Sequence, residues 1–480
     1  MNLEKELKKY FGFDSFRPGQ KEVIEQIMDD RDVLAILPTG GGKTLLYQLP
    51  AILKEGITLV VSPLIALMKD QLDALRKRKI PATLINSTLT PKQKEKRIQE
   101  ILNNKYKIIY AAPETLTAEY FKKLIKNINV SFIAVDEAHL VSEWGHEFRP
   151  SYRKLKIVKK IAGNPQVAAF TATATDKVKW DIAEQLEMNE PYIKVGGFNR
   201  PELTLRGEYF EYDIDKKEAF QQYINDIYEE KGCFAPMIIY CGSRRECEAM
   251  SSAINTKMKN NYKIDNFSLP YHADLSKKKR KETQDAFMEG DIVCIVGTIA
   301  FGLGIDKKNI RHVLHYTIPS SIESYYQEVG RAGRDGKPSE CVLFYSGKDI
   351  VLRHYLIDIS HPPEQLYKRT FVYLLQHFEP DTMVEITQTV ISQEVGITKK
   401  EQRQVMYCLT ELKKRGVFKT PQRGKFILRD VKRNFSKLGI NFDRIRRRKL
   451  EKEKKLETMK KFVGVENKKE YILDYFGVKE

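Results

Sequence analysis

Short apolar runs alternate with helical stretches along the first part of the chain. The first set of runs lies at Asp32–Ile36, Ile57–Val61, Ala82–Ile85, Lys107–Tyr110, Phe132–Val135, Val167–Phe170 and Tyr192–Val195. This alternation predicts a parallel β-sheet with helices on both faces. Ligands of such sheets bind beyond the carboxyl ends of the strands, so we expect functional residues there.

The pattern breaks around Gly196, Gly197 and Pro201, which suit a hinge between domains. A second set of apolar runs follows, at Met237–Tyr240, Phe267–Pro270, Ile292–Val296, His312–Tyr316 and Cys341–Phe344. It predicts a second domain of the same class. The predicted fold is therefore α/β, with one parallel-sheet domain at residues 1–200 and another at 201–347.

The C-terminal third has a different pattern. Asp358–Pro363 has the composition of a linker. Helical patterns and short strands follow, at Glu364–His377, Ile386–Gln393, Lys399–Arg415, Gly416–Thr420 and Lys425–Leu428. Three helices and a β-hairpin predict a small winged-helix domain, which with the linker covers residues 348–430. The alternative is a domain that only packs against the rest of the chain.

Residues 431–480 predict a basic helical hairpin. Its apolar positions recur at helical spacing, at Leu450, Leu456, Met459, Phe462, Tyr471, Ile472, Leu473, Tyr475 and Phe476. The six cysteines of the chain all precede this segment and form no C-x-x-C pair. Structural zinc normally needs closely spaced Cys or His ligands, so we expect no zinc and reduced intracellular thiols.

Composition indicates a folded, multidomain protein with a polyanionic partner. The 480 residues are 42% hydrophobic, and their formal net charge is +18. No apolar stretch approaches the roughly 18 residues of a membrane-spanning helix, and the N-terminus lacks a signal-peptide core. We therefore expect no membrane partner and a cytoplasmic location, on the nucleoid if the source is bacterial.

A glycine-rich stretch, Leu37–Thr44, lies between a predicted strand and a predicted helix. Glycines let backbone N–H groups converge on phosphate oxygens, and the helix N-terminus adds partial positive charge. Lys43 can reach the β and γ phosphates, and the Thr44 hydroxyl can ligate Mg²⁺. The predicted ATP-binding residues of this loop are Thr39, Gly40, Gly41, Gly42, Lys43 and Thr44. The alternative is a glycine-rich turn that binds nothing.

Three residues upstream of this loop suit an adenine pocket. Phe13 can stack on the base, Gln20 can pair with its N7 and N6 edge, and Arg17 lies between them in sequence. The alternative is a packed helical turn with Phe13 in the core.

Asp136 and Glu137 follow the apolar run that ends at Val135. Two carboxylates at a buried strand end are unfavourable unless a cation or base chemistry uses them. Asp136 suits Mg²⁺, and Glu137 suits polarising the attacking water. His139 can contact the γ phosphate or cap the following helix.

The loop that follows, Val141–Pro150, holds Trp144, one of only two tryptophans. Aromatic rings next to the hydrolytic carboxylates can stack on nucleobases, an interaction of about 1–3 kcal/mol per base. The alternative is a hydrophobic plug under the sheet, although Gly145 and the interleaved polar residues favour a loop.

The second domain contains Gln327-Glu328-Val329-Gly330-Arg331-Ala332-Gly333-Arg334. Arg331 and Arg334, spaced by small residues, can approach a triphosphate held by another domain and act as arginine fingers. The alternative is a basic turn on the surface.

Together these motifs resemble a superfamily 2 helicase core, and more narrowly the RecQ family. The matching stretches are FRPGQ at 16–20, LPTGGGKTLLYQLPA at 37–51, VVSPLIALMKDQ at 60–71, VDEAHLVSEWGHEFRPSY at 135–152, FTATAT at 170–175, TIAFGLGID at 298–306 and SIESYYQEVGRAGRDG at 321–336. They occur in the family's order. Departures are Phe13, where the family often has Tyr, and Glu143, where Gln is usual. The segment that resembles the family's zinc-binding hairpin lacks its cysteines.

The resemblance implies that the two parallel-sheet domains are RecA-like. It also implies an ATP- and Mg²⁺-dependent motor that unwinds DNA by moving 3′ to 5′ along single strands. It implies that Gly304, Asp306 and Gln327 complete the nucleotide site. Expected nucleic-acid contacts are Ser62, Trp144, His146, Phe148, Arg149, Thr173, Ser243, Arg244, His272, Thr298 and Arg423.

The expected partners are ATP, single-stranded and forked duplex DNA, and repair or defence proteins. One alternative is an ATP-driven DNA translocase or remodelling subunit of a repair or phage-defence complex. A non-hydrolysing DNA scaffold and an RNA helicase are further alternatives. Intact Lys43, Glu137 and Arg334 argue against the scaffold.

Overall fold

The computed structural model describes residues 2–86, 88–145, 148–232, 234–302, 307–422, 424–429 and 434–478. The chain forms two compact units. The first contains residues 1–210, 214–345 and 460–480, and the second contains residues 211–213 and 346–459.

The first unit begins with a seven-stranded parallel sheet. Its strands are β1 (Val33–Ile36), β2 (Ile57–Val61), β3 (Ala82–Ile85), β4 (Ile108–Ala111), β5 (Val130–Val135), β6 (Gln166–Thr171) and β7 (Tyr192–Val195). Their order across the sheet is β3-β4-β2-β5-β6-β1-β7, and every neighbouring pair is parallel. The strands lie within one or two residues of the predicted bounds.

Helices flank this sheet. They are α1 (Leu3–Phe11), α2 (Gln20–Met28), α3 (Lys43–Leu53), α4 (Ile65–Lys77), α5 (Pro91–Leu102), α6 (Glu119–Lys126), α7 (Leu155–Ile161) and α8 (Asp176–Gln185). Short 3₁₀ turns occupy Pro113–Thr117, Ala138–Val141 and Pro150–Lys154. Fully buried side chains such as Ile24, Leu46 and Phe170 join helices and strands in one apolar core. We call this part, residues 2–200, the first lobe.

A second, six-stranded sheet forms the second lobe, residues 201–345. Its strands are β8 (Leu203–Phe210), β9 (Met237–Tyr240), β10 (Ser268–Tyr271), β11 (Cys294–Gly297), β12 (His312–His315) and β13 (Ser339–Ser346), in the order β10-β11-β9-β12-β13-β8. Pairings from β10 to β13 are parallel. Its helices are α9 (Asp213–Lys231), α10 (Arg244–Tyr262), α11 (Lys277–Glu289) and α12 (Ile322–Val329). The predicted pair of parallel-sheet domains is therefore confirmed.

The second unit is mainly helical. Its helices are α13 (Gly347–Ser360), α14 (Glu364–His377), α15 (Gln388–Val395) and α16 (Lys399–Lys414). Strands β14 (Met383–Glu385), β15 (Phe418–Lys419) and β16 (Lys425–Leu428) form an antiparallel sheet in the order β14-β16-β15. Phe371, Leu409 and Phe426 belong to its buried core.

The predicted linker at Asp358–Pro363 was partly wrong, because α13 continues to Ser360. A capping box of Ser346 and Asp349 starts this helix. Within this helix the Asp358 carboxylate pairs with Lys400 at 2.6 Å. Two prolines follow, and they end the helix.

The last described helices are α17 (Phe442–Gly464) and α18 (Lys468–Tyr475). Buried side chains at the predicted apolar positions are Leu456, Met459, Phe462, Ile472 and Phe476. The prediction for Leu450 was wrong, because its side chain is 56% exposed on a helix rich in charged residues. In the described part of the chain, no helix has both the length and the apolar character needed to cross a membrane.

Candidate ATP site and nucleic-acid interface

The glycine-rich loop joins β1 to α3 in a conformation that requires glycine. Gly40 and Gly42 have φ angles of 84° and 77°, in the left-handed region. A Cβ added to Gly42 would lie 2.4 Å from Gln20 Nε2. Lys43 and Thr44 then form the first turn of α3, where free N–H groups favour a phosphate.

Lys43 lies at the centre of the charged residues of this site. Its Nζ donates hydrogen bonds to the carbonyls of Leu37, at 2.9 Å, and Pro38, at 3.2 Å. Burial lowers the pKa of Lys43, although the nearby Glu137 and Asp136 carboxylates oppose this shift. A phosphate placed here would give the ammonium a stronger, charged partner.

Arg17 and Gln20 hold the loop through its carbonyl oxygens. Gln20 Oε1 accepts from the Arg17 backbone N–H at 2.9 Å, and its Nε2 donates to Gly41 O at 3.1 Å. The Arg17 guanidinium donates to Gly40 O. Phe13 is 52% exposed at the edge of the site, so the alternative with Phe13 in the core was wrong.

One cavity of about 470 Å³ collects most of the predicted nucleotide site, with side chains from both lobes. Predicted residues that line it are Phe13, Arg17, Gln20, Thr39, Gly40, Gly42, Lys43, Thr44, Asp136, Glu137, Gln327, Arg331 and Arg334. Residues that the sequence analysis missed are Ser15, Leu45, Leu67, Gln71, Gly302 and Lys308. Lys308 had a sequence signal, a cation just after the motif that ends at residue 306.

The carboxylates of Asp136 and Glu137 lie at the end of β5. Asp136 Oδ2 accepts from Ser62 Oγ at 3.2 Å, and its Oδ1 accepts from the Glu137 N–H at 3.0 Å. Burial, and secondly the Glu137 charge, raise the pKa of Asp136 to about 7. With Thr44 in the same cavity, this set of hard oxygen donors fits Mg²⁺.

His139 connects the carboxylates to β6. It is buried, and its Nδ1 lies 2.9 Å from Thr171 Oγ1 and 3.3 Å from Glu137 Oε2. His139 thus lies next to the hydrolytic carboxylate, inside the 3₁₀ turn Ala138–Val141. Its predicted contact with the γ phosphate stays a prediction.

The two arginines of the second lobe line the shared cavity, and Arg334 reaches the loop of the first lobe. A Cβ added to Gly40 would lie 3.5 Å from Arg334 Cγ. Arg331 is only 6% exposed, and its guanidinium donates to Gly302 O and lies beside the Tyr240 hydroxyl. The alternative of a surface basic turn was therefore wrong. Tyr240 itself carried no sequence signal, because it ends an ordinary apolar strand.

Gln327 also spans the two lobes. Its Nε2 donates to Thr173 Oγ1 at 3.5 Å. Thr173 is 1% exposed, and its expected nucleic-acid contact stays a prediction. The same holds for Ser62, which bonds Asp136, and for His272, which bonds Glu248 Oε1 at 3.1 Å; both are buried. Strand-end polar residues of this fold serve the site itself as well as its ligands.

The Trp144 loop is anchored to the segment that follows Glu137. A Cβ added to Gly145 would lie 2.6 Å from the carbonyl oxygen of His139, so only glycine fits there. The Arg149 N–H donates to Leu140 O at 2.9 Å. The backbone of the loop is thus held against the segment that follows Glu137.

The aromatic side chains of this loop are half-buried, unlike those of a hydrophobic plug. Lys177 Nζ lies 3.3 Å from the Trp144 ring centroid, and the Arg153 guanidinium lies 5.0 Å from that of Phe148. Arg149 donates to Pro63 O at 3.2 Å. Basic groups thus lie next to both rings.

Three predicted contacts lie at strand ends of the second lobe. Ser243 is exposed and caps α10 by accepting from the Glu246 N–H, and the neighbouring Arg244 is exposed and pairs with Asp274. Thr298 is half-buried after β11. Four further predicted residues, His146, Gly304, Asp306 and Arg423, lie outside the described residues.

Residues 17–180 match the family described as DEAD/DEAH box helicase, and residues 215–336 match the helicase conserved C-terminal domain. The fold is shared with a structure of Mycobacterium smegmatis helicase Lhr bound to ssDNA and AMP-PNP. That match has a TM-score of 0.58 and 19% identity, and covers 90% of this chain and 60% of the other. Together the fold and the site define a superfamily 2 helicase.

The chain is 37% identical over 433 residues to the ATP-dependent DNA helicase RecQ of Bacillus subtilis strain 168, covering 85% of this chain and 70% of that relative. It is 40% identical over 349 residues to the RecQ helicase of Pasteurella multocida strain Pm70, covering 72% of this chain and 52% of that relative. The chain belongs to the RecQ family of ATP-dependent DNA helicases.

Proposed function

We propose that this RecQ-family helicase unwinds duplex DNA by moving 3′ to 5′ on a single strand, at the expense of ATP. The observation that carries the proposal is the cavity in which Lys43 and Glu137 of one lobe meet Arg331 and Arg334 of the other. A motor needs such a shared site, because hydrolysis there changes the contacts between its two lobes.

Four side chains of the first lobe have direct roles in ATP hydrolysis. Lys43 binds the β and γ phosphates, and Thr44 and Asp136 hold Mg²⁺, which when bound neutralises phosphate charge. Glu137 orients the attacking water and accepts its proton. Burial raises the pKa of Glu137, which strengthens it as a base, while Lys43 and Arg331 limit the shift.

The arginines supply the charge that hydrolysis requires from the second lobe. Arg331 and Arg334 neutralise the charge that develops on the transferred phosphoryl group. Because both follow α12, a change in bound nucleotide alters how firmly the second lobe is held against Gly40. Gln327, bonded to Thr173, gives the lobes a further contact that depends on their separation.

We infer that single-stranded DNA is sensed by the Trp144 loop. Its half-buried rings can stack on bases, and its backbone is fixed to His139 and Leu140. Ser243, Arg244 and Thr298 are the proposed contacts of the second lobe. Their position at the strand ends supports this, since ligands of such sheets bind there.

The second unit is proposed to be a winged helix that binds duplex DNA. Helices α14 to α16 and the small sheet agree with that architecture. The turn between β15 and β16 would be the wing, and α16 the helix that enters a groove.

We also propose that the chain works without zinc, with α17 and α18 held by apolar contacts. Repair or defence proteins, and association with the nucleoid, are further proposals.

The decisive experiment is strand displacement on forked, 3′-tailed and 5′-tailed duplexes, with ATPase measured on single-stranded DNA and RNA. We expect unwinding of forked and 3′-tailed substrates, none of the 5′-tailed one, and stronger stimulation by DNA. Unwinding of only the 5′-tailed duplex would reverse the proposed polarity. DNA-stimulated ATPase without strand displacement would instead favour a translocase, and stimulation by RNA alone would exclude the DNA motor.

A further inference from the structure

The indole ring of Trp144 is in contact with an ammonium group of its own lobe. Lys177 Nζ lies 3.3 Å from the ring centroid, within the range of a cation–π interaction. The Lys177 side chain reaches Trp144 from the first turn of α8. The ammonium therefore covers one face of the indole ring.

Helix α8 contacts the loop at a second residue, Ser142. Asp181, four residues after Lys177, accepts a hydrogen bond from Ser142 Oγ at 2.5 Å. The Trp144 N–H donates to the same Ser142 hydroxyl at 3.2 Å. Residues four apart share a helix face, so Lys177 and Asp181 face the loop from the same side of α8.

The position of Lys177 does not stabilise its own helix. A positive charge in the first turn opposes the helix dipole, and Asp176 in the same turn is paired with Lys179. The ammonium lies over the Trp144 ring, where a cation–π interaction stabilises it.

We propose that Lys177 competes with a nucleobase for the face of Trp144, and that single-stranded DNA must displace it to stack there. This inference rests on the proposed role of the Trp144 loop in binding DNA. Stacking of a base on an aromatic ring is stronger than an exposed cation–π contact, so DNA displaces the lysine. The lysine then lowers the affinity for DNA without preventing binding.

Removal of the charge is therefore expected to strengthen DNA binding. Lys177→Gln keeps a polar side chain of similar reach but removes the cation. We expect an approximately two- to fivefold lower Kd for a short oligodeoxythymidylate, the equivalent of an exposed cation–π contact. The oligonucleotide concentration that half-maximally stimulates ATPase should fall by the same factor. Loss of a basic residue ordinarily weakens DNA binding, so the sign is diagnostic.

The two tryptophans allow the contact to be measured directly. Trp180 is 62% exposed, and Trp180→Phe leaves Trp144 as the single tryptophan. In that background we expect Lys177→Gln to make Trp144 fluorescence more sensitive to acrylamide without DNA. Saturating oligodeoxythymidylate should remove the difference, because a base then covers the ring in both proteins.

Lys160→Gln is the matched control, since it removes an exposed charge paired with Glu187 of the same lobe. It should not lower the Kd. In the Trp144→Ala background, Lys177→Gln should no longer strengthen binding. A weaker or unchanged affinity in Lys177→Gln, while Trp144→Ala weakens binding, would overturn this inference alone. If Trp144→Ala changed neither DNA affinity nor DNA-stimulated ATPase, the proposed role of the loop would fall with it.

Discussion

Arg334 of the second lobe lies against Gly40 of the phosphate loop, close enough that a Cβ on Gly40 would be 3.5 Å from Arg334 Cγ. Arg334 is expected to act in the transition state of ATP hydrolysis, whereas the phosphate loop is expected to bind ATP before hydrolysis. The separate roles of the two sides can therefore be tested by substitution.

Arg334→Ala should lower kcat far more than ATP affinity. An arginine finger acts mainly on the charge of the transition state, and its loss lowers the rate by about 10³–10⁵ in well-studied NTPases. Steady-state ATPase and nucleotide binding measure the two effects. Arg206→Ala, which breaks an ion pair with Glu340 on the same lobe, is the control. Weaker ATP binding with an intact kcat would assign Arg334 to the ground state.

Lys43→Ala should abolish ATP turnover and leave DNA binding in place. The substitution removes the buried ammonium that positions the phosphates, whereas the basic surface of the protein is unchanged. ATPase and fluorescence anisotropy with a labelled oligonucleotide measure the two activities. ATP turnover at the unsubstituted rate would contradict the motor mechanism.

Tyr240→Phe should lower kcat by about five- to tenfold, or about 1 kcal/mol, without changing the KM for ATP. The Tyr240 hydroxyl lies beside the Arg331 guanidinium and donates to Phe301 O at 3.2 Å, so it positions the arginine. Tyr325→Phe is the control, because the buried Tyr325 hydroxyl has no hydrogen-bond partner in the described part of the chain. Equal effects of the two substitutions would show that only packing had changed.

The nucleotide-free protein should become less stable as pH rises from about 4 to about 7. Burial, and secondly the Glu137 charge, raise the pKa of Asp136 from 3.8 to about 7, so between these values the folded state binds the extra proton. Unfolding then becomes easier with increasing pH. Thermal melting with and without Mg²⁺ measures this, and Asp136→Asn should flatten the slope. An identical slope in Asp136→Asn would place the linked proton elsewhere.

Removal of zinc should not affect this protein, because its last helices are joined by apolar contacts. A chelator, with Mg²⁺ kept in excess, should leave Tm and DNA binding unchanged. Phe476→Ala should lower the free energy of unfolding by about 3–5 kcal/mol, because the Phe476 ring is fully buried and its centroid lies 4.8 Å from that of Phe198. Leu450→Ala, at an exposed position of α17, is the control. One zinc per chain by elemental analysis would contradict the prediction.

The buried strands were predictable because both faces of each strand are apolar, whereas β8 was missed for the opposite reason. Leu203–Phe210 lies at the edge of the second sheet, and only Leu203 is buried, with partly buried and exposed residues alternating over the next five positions. An edge strand of this kind does not form a continuous apolar run. Its place is set by the neighbouring strand rather than by its own sequence.

The residues of the site also divide into those that the sequence predicts and those that it does not. Lys43, Asp136, Glu137 and the arginines were predictable, because each belongs to a motif with its own chemistry. The burial of Ser62 and Thr173 was not, since a hydroxyl at a strand end serves a ligand or a neighbouring side chain equally well. Which of these it serves depends on the tertiary position of Asp136 and Gln327.

The aromatic contact between Phe476 and Phe198 also means that the first unit is completed late during synthesis. Phe476 contacts Tyr326 as well, with 5.5 Å between ring centroids, so α18 joins the hinge to α12. The ribosome makes all residues of the second unit before it makes α18. Until then the nascent chain exposes apolar surface at Phe198 and Tyr326. Such delayed, long-range contacts slow folding and favour aggregation, so chaperones should bind chains that stop before α18.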